Sequence, residues 1–459
     1  MPSIHDYATW EPLLRLLHER SPEALTAPGG HAAGSIGRGG WSVPARPAGR
    51  RRGRALLADM ENEQHAVDPV RRALAACGAD DVHFVLERSS AGEFAFHVLD
   101  HGPAVESGPG APYPGSLVLV EDALPEPWRR LPEPVPGAVP APSADPALLE
   151  RTLRERLPGA VGAAEAEIAA AEARLGIALP EELRAVYRAV RARREDRGDG
   201  LEAAERVFDA VGCELFPLDR LYVADAPSRP RPWRFAAQEA VVTPPGAAVQ
   251  GLVGSPGWIV FGDSGGGDRI AVDLTPGPRG HTGQVIVIGH EDGIGADLLA
   301  ESLTGLVLNR PEGARRGHRA GPPAKARVDA RALPGIEAAA RPELEVLGIG
   351  VRDGEPLGLG PVAGLPRLRT LTACPGTLAD PLEVAGLAGL EFLELGPEEW
   401  RALLGAGAVP RGLSAASIAV QGRDRNPLEV AALANEILAL WDRPPITRTG
   451  LDGAPGRAG

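Results

Sequence analysis

Lysine is almost absent from this chain of 459 residues: Lys325 stands alone, and arginine carries nearly all of the positive charge. Cysteine is scarce too. Cys77, Cys213 and Cys374 lie far apart and show no metal-ligand spacing. So odd and sparse a set speaks against a disulfide framework and for reduced, buried thiols in a cytoplasmic setting. No apolar run approaches about 18 residues, which leaves nothing to cross a membrane as a helix. The opening Met1-Pro2-Ser3-Ile4-His5-Asp6 is no secretory signal. Arg50-Arg51-Arg52 lies too deep for a twin-arginine signal and has too short an apolar region after it. An excess of positive charge is missing as well. The formal net charge is −13, so the chain repels a phosphate backbone and direct nucleic-acid binding is not expected. The same charge suits a basic protein partner.

The signatures of common chemistry are also lacking. There is no Gly-x-x-x-x-Gly-Lys phosphate loop, His-Glu-x-x-His helix, Cys-x-x-Cys pair or dinucleotide-binding glycine fingerprint. Asp263-Ser-Gly-Gly-Gly-Asp268 lacks the alternating oxygen ligands of a calcium loop. Asp263, Asp268, Asp273 and the run His290-Glu291-Asp292 read as solvated turn acids. No cofactor, no metal and no catalytic residue are expected.

One pentapeptide cuts against that expectation. Gly262-Asp263-Ser264-Gly265-Gly266 is the string around the nucleophile of trypsin-like serine proteases. A serine nucleophile needs a histidine base within hydrogen-bond reach and a carboxylate to orient that base. The upstream histidines (His5, His18, His31, His65, His83, His97 and His101) lack the Ala-Ala-His-Cys setting of those enzymes. A glycine-rich hairpin turn is therefore the better reading of Ser264. Its flanks agree. Trp258-Ile259-Val260-Phe261, Arg269–Asp273 and Gln284–Ile288 are short β-branched runs separated by Gly/Pro-rich connections, an antiparallel hairpin with a third strand.

Upstream of these strands, Ile168, Ala171 and Leu175 share one helical face, and Gly176 suits the position just past a helix end. Pro180 fits the first position of a second helix, with Glu181 and Glu182 in its positive first turn. Leu183, Val186, Tyr187 and Val190 continue as an i, i+3, i+4, i+7 stripe. This order of helix, Leu-Pro-Glu-Glu-Leu, helix, Trp258 strand, glycine turn and Gln284-Val285 resembles the Smi/Knr branch of the SUKH superfamily over about residues 150–310. The resemblance implies an α+β domain with a mixed sheet, flanking helices and no catalytic residues. The matching positions are Leu179, Pro180, Glu181, Leu183, Tyr187, Trp258, Phe261, Gly265, Gly266, Asp268 and Gln284. Most suit structural roles; Glu181, Glu182, Asp263 and Asp268 are the candidates for partner contact. A long insertion between Tyr187 and Trp258, including Arg229-Pro-Arg-Pro-Trp233, departs from the family pattern.

Around that domain the chain is expected to hold an N-terminal helix (1–26, with Trp10, Leu13, Leu14 and Leu17 on one face) and a flexible Gly/Pro/Arg-rich segment (27–54). A small α+β domain of unknown role (55–131) follows, then a Pro-rich linker (132–147), the SUKH-like domain (148–310) and a second linker (311–332). Beyond it, Val362, Gly364, Leu365, Leu368 and Leu371 reappear 22 residues later as Val384, Gly386, Leu387, Leu390 and Leu393. This resembles short leucine-rich repeats, which implies a stubby solenoid. Gly376 and Glu398 sit where that family's ladder asparagine would fall. The repeat-like domain (333–445) ends in a helix, capped at Asn426 and led by Pro427 and Glu429, that would cover the open end of the repeats; residues 446–459 form a tail. The resemblance to SUKH proteins, whose bacterial members look like immunity proteins, points to a cytoplasmic, non-enzymatic module that binds and neutralises a basic toxin. The alternative is a regulatory scaffold linking cellular proteins through its SUKH-like and repeat domains.

Overall fold

The computed structural model describes residues 3–20, 25, 30–44, 54–88, 94–106, 113–193, 201–309, 324–421 and 425–451. They make an α+β molecule with three sheets. Residues 124–325 are one compact unit, and the two ends of the chain together build the other.

The first unit begins with helix α1 (Tyr7–Arg20), strands β1 (His31–Gly37) and β2 (Trp41–Ser42), helix α2 (Arg54–Cys77), and strands β3 (Asp81–Arg88), β4 (Phe94–Asp100) and β5 (Leu117–Leu119). Trp10, Leu13 and Leu17 of α1 and Val70 and Leu74 of α2 bury against Val82, Phe84, Phe96 and Val98 on one face of the sheet. The Trp10 indole N–H donates to the Ile4 carbonyl at 2.7 Å, which lets so large a ring sit fully inside. The segment expected to be flexible contains β1. Its alternation is masked by composition: Ala32, Gly34 and Ile36 face inward. A Cβ on Gly34 would stand 2.8 Å from the Phe84 ring, so glycine is what lets β1 close on β3. Residues 45–53 of that segment lie outside the described residues.

The second unit contains helices α3 (Pro146–Arg156), α4 (Glu165–Leu175), α5 (Glu181–Ala189) and α6 (Leu201–Val211), then strands β6 (Glu214–Leu215) and β7 (Tyr222–Val223). Strands β8 (Trp258–Asp263), β9 (Arg269–Asp273), β10 (Gln284–Ile288) and β11 (Asp297–Ala300) and helix α7 (Leu303–Asn309) complete it. The sheet runs β11-β10-β9-β8-β6, with β7 also on β8. Among the described residues its pairings are all antiparallel, which corrects the expected mixed sheet. The cause is local: β8, β9 and β10 follow one another through turns, and parallel neighbours would need long crossovers. Gly176 ends α4 in the left-handed conformation with φ 69°. Pro180 is the residue before α5 and not its first helical one. The Pro-rich stretch expected as a linker is held down, since Gln250 bonds both the N–H and the carbonyl of Glu133 at 2.9 and 2.8 Å.

The carboxy-terminal half returns to the first unit with β12 (Lys325–Val328), β13 (Val346–Ile349), β14 (Thr370–Ala373), β15 (Phe392–Leu395), helix α8 (Pro397–Ala406), β16 (Ala415–Ile418), helix α9 (Pro427–Leu440) and β17 (Thr447–Leu451). Strands β13 to β16 are parallel, and Leu347, Leu371, Leu393 and Ala416 stand in line across them. The 22-residue recurrence is the step from β14 to β15. Backbone N–H groups between these strands are satisfied by glutamates: Glu399 accepts from Gly376 at 2.6 Å and Glu383 accepts from Leu359. The expectation of a separate solenoid gives way to a mixed sheet of order β12-β13-β14-β15-β16-β5, because β5 from the other end of the chain pairs antiparallel with β16. Nor is the end of the chain a tail throughout. β17 pairs with β4 along Thr447 to Leu451, and Ile446 joins the core.

Helix α9 is capped by Asn426, whose Oδ1 accepts from Leu428 N at 3.0 Å. It buries Val430, Leu433, Ala434, Ile437 and Leu438 in the same core as Val85, Leu99 and Val118. A chain cut after Arg425 should therefore lose its cooperative unfolding transition and aggregate. A soluble truncation that melts cooperatively would refute this account of α9 and β17.

Candidate functional site

The residues matched to the family pattern divide by burial. Leu183, Tyr187, Trp258, Phe261 and Gln284 are fully buried and Leu179 nearly so. Tyr187 donates its hydroxyl to the Phe216 carbonyl at 2.7 Å, tying α5 to the strand edge, and burial raises its pKa well above the ordinary tyrosine value. Behind Trp258, across β8 and β9, lies Asp273. Its Oδ1 accepts from the N–H and hydroxyl of Thr275 at 2.8 and 3.1 Å, and its Oδ2 from Gln284 Nε2 at 2.9 Å. Gln284 also donates to the Ala248 carbonyl at 2.7 Å and accepts from His281 N at 3.0 Å. Gln284 thus fixes a loop to the sheet. Burial pushes the Asp273 carboxyl up to about 6 against those hydrogen bonds.

The turn between β8 and β9 is built by its own carboxylates. Asp263 Oδ1 accepts from the Gly265 and Gly267 N–H groups at 2.7 and 3.2 Å, and its other oxygen pairs with Arg269. Gly265 and Gly267 have φ of 84° and 99°, which suits glycine; Gly266 needs no such freedom. Ser264 accepts from Gly266 N at 3.2 Å. His290 bonds Asp268 through Nδ1 at 2.7 Å, and among the described residues no hydrogen bond joins it to Ser264.

The four carboxylates expected to contact a partner do not form one face. Glu182 is buried and caps α7, accepting from Leu303 N, Thr304 N and the Thr304 hydroxyl at 3.1, 2.9 and 2.5 Å. Asp263 is buried in its turn. Glu181 is exposed but bridges Arg184 and Arg188 at 3.4 and 3.3 Å. Asp268 is half-exposed on His290, whose bonds hold it below the usual carboxylate range, while it raises His290.

Sequence reasoning missed a cleft beside that turn, of about 330 Å³. Arg229, Arg231, Arg269 and His290 line it together with Tyr222 and Ile288. Arg229 Nη2 donates to the Asp292 carbonyl at 2.7 Å and Arg231 to the Glu291 carbonyl at 3.0 Å. Most of the charge on this wall is matched: Arg269 pairs with Asp263, His290 with Asp268, and Arg231 lies 3.6 Å from Glu239. Two of these arginines come from the insertion that departs from the family pattern. That departure was the available signal. Among the thiols, Cys213 is buried and pushed up to about 12, whereas Cys77 is exposed, contrary to expectation.

An antiparallel sheet braced by α3 to α5, with a polar cleft at one margin, defines an α+β domain. Residues 162–309 match the SMI1 / KNR4 family (SUKH-1). A glucan synthesis regulatory protein of Neurospora crassa is 42% identical over 67 residues, 15% of this chain and 13% of its own length. A KNR4/SMI1 homolog of Yarrowia lipolytica is 46% identical over 56 residues, 12% of this chain and 7% of its own. A cell wall biosynthesis/cell cycle regulator, smi1, of Schizosaccharomyces pombe is 50% identical over 48 residues, 10% and 9% respectively. The chain thus spans 7–13% of the length of these curated relatives. No helix of the described residues is long and apolar enough to cross a membrane.

Two outcomes test this site. Because the folded pKa of Asp273 lies above its unfolded value, its contribution to stability is full below about pH 4 and is lost as pH rises through about 6. In urea unfolding, Asp273→Asn should gain stability relative to the wild type between those pH values, by about 2–3 kcal/mol. A difference flat with pH would contradict the raised pKa. For Ser264, a fluorophosphonate probe should leave the residue unlabelled by peptide mass spectrometry. Labelling abolished in Ser264→Ala would reinstate a nucleophile.

Proposed function

We propose that the protein is a regulatory scaffold that binds other proteins, with residues 162–309 as one binding domain and no catalytic step of its own. The observation that carries this reading is the family match over those residues, whose relatives are named as regulators of glucan synthesis or of cell wall biosynthesis and the cell cycle. The arginine-lined cleft at Arg229, Arg231, Arg269 and His290 is the contact point of that domain, and its guanidinium groups suit an acidic side chain or chain end of the partner. The parallel ladder β13 to β16 is read as a short leucine-rich-repeat surface that offers a second binding face.

Toxin neutralisation is the narrower form of this function. The net charge of −13 supports it, since that suits a basic toxin. Against it stand Glu182 and Asp263, which are used inside the fold.

The test is capture of partners on immobilised full-length protein, followed by association kinetics with the captured protein. Arg231→Glu combined with Arg269→Glu should slow association and weaken its salt dependence, because charges at an interface rim act mainly on the on-rate. Asp268→Lys should leave it unchanged or faster. The opposite pattern would favour a basic partner on the acidic residues. A partner that binds equally well without residues 162–309 would overturn the assignment to this domain.

A further inference from the structure

A second cluster, in the other unit, is built by strand register. Asp81 and His83 stand two apart on β3 and share one face of the sheet. β3 pairs antiparallel with β4 in a register that sets His83 against Leu99. Continued by two residues, that register brings His101 opposite Asp81. One ligand-capable atom from each of Asp81, His83 and His101 lies within 4.8 Å of the others.

The distances and surroundings fit a cation. Asp81 Oδ1 and His101 Nε2 are 3.2 Å apart. In a tetrahedral zinc site with bonds of about 2.0–2.1 Å, neighbouring ligand atoms stand about 3.3 Å apart, so this pair already spans one edge. With all three ligand atoms within 4.8 Å, the third needs a shift of up to about 1.5 Å, within reach of a side-chain torsion. The other ring nitrogen of His101 faces the Gly102 carbonyl at 3.4 Å, the kind of outer partner that fixes a ligating imidazole with Nε2 toward a metal. His83 is buried, on the same strand face as Asp81. Asp81 and His101 remain partly open to solvent, at 27% and 14% of their side-chain surface, so an ion has a path in.

We propose that Asp81, His83 and His101 form a binding site for a divalent transition metal of the zinc class, with a fourth position left for water or for a partner's ligand. Two imidazoles with one carboxylate select against magnesium and calcium, which prefer all-oxygen shells. The site would pin the end of β4 to the start of β3, near where β17 joins the same sheet. It is independent of the binding function assigned to residues 162–309.

The experiment uses the full-length protein, freed of metal by a chelator and then dialysed. Zinc is titrated against a chromogenic competitor, bound metal is counted by mass spectrometry, and cobalt is added separately to read its visible spectrum. One equivalent of zinc is expected, with the intense visible bands of four-coordinate cobalt. Zinc should also raise the melting temperature of the wild-type chain, as any ligand of the native state does. Asp81→Asn and His101→Gln, both near the surface, should each weaken zinc binding by about tenfold or more, with unchanged circular dichroism in the metal-free state. Should either variant misfold, the stoichiometry and cobalt spectrum of the wild type decide. Less than one equivalent bound, weak octahedral cobalt bands, or binding that survives both substitutions would overturn the site. The three residues would then be an ion pair with a packed histidine.

Discussion

The pairing of β5 with β16 and of β17 with β4 governs the architecture of the first unit. A parallel ladder has an open edge, and an uncovered edge invites pairing with other chains. Here Val118 lies opposite Ala416 and covers that edge, and both are fully buried. The chain then crosses in α9 and adds β17 to a different sheet, at Leu99 and its neighbours. Helix and strand stand together, because α9 and Ile446, just before β17, share one core. These contacts join residues hundreds of positions apart, such as Leu99 and Arg448. Closing such long loops costs entropy before the contacts form, which makes this unit a slow folder by topology.

In the second unit the buried polar groups set the loops. Asp273, Thr275 and Gln284 satisfy one another in the interior, and Ser255 joins them through Thr275 at 2.6 Å. A network of that kind specifies geometry because each missing partner would leave a buried polar atom unpaired. It gives Gln284, one of the positions of the family resemblance, an internal structural role. The cleft draws Arg229 and Arg231 from the insertion. The buried network and these two arginines therefore occupy different stretches of sequence.

What was legible in the sequence follows the reach of each signal. Strands β8, β9 and β10 and helices α4, α5 and α9 are written in local alternation, stripes and caps, and β9 and β10 have the bounds read from the sequence. Strand β1, with Ala, Gly and Ser at most positions, and β17, reading Thr-Arg-Thr-Gly-Leu, carry little apolar pattern; pairing makes them strands. The inward roles of Glu182 and Asp263 were hidden for a similar reason. Glu182 caps a helix that begins at Leu303, and nothing near residue 182 announces it. Asp81, His83 and His101 converge only once the register of β3 and β4 is known.

The same logic explains why net charge was a poor guide to the binding surface. A formal charge of −13 counts every carboxylate equally, yet Glu182, Asp263 and Glu399 spend their charge on backbone N–H groups inside the fold. Arginine is spent in the converse way. Arg174 donates to the Leu218 and Leu221 carbonyls at 2.8 and 3.0 Å, and Arg156 to the Val307 carbonyl at 2.8 Å. A planar fork can serve two carbonyls at once, which a lysine ammonium does less well; a chain with one lysine holds its loops by such forks. The field that a partner meets is the remainder after these internal uses. On the margin of β8 to β10 the arginines are matched in the same way, Arg269 by Asp263 and Arg231 by Glu239.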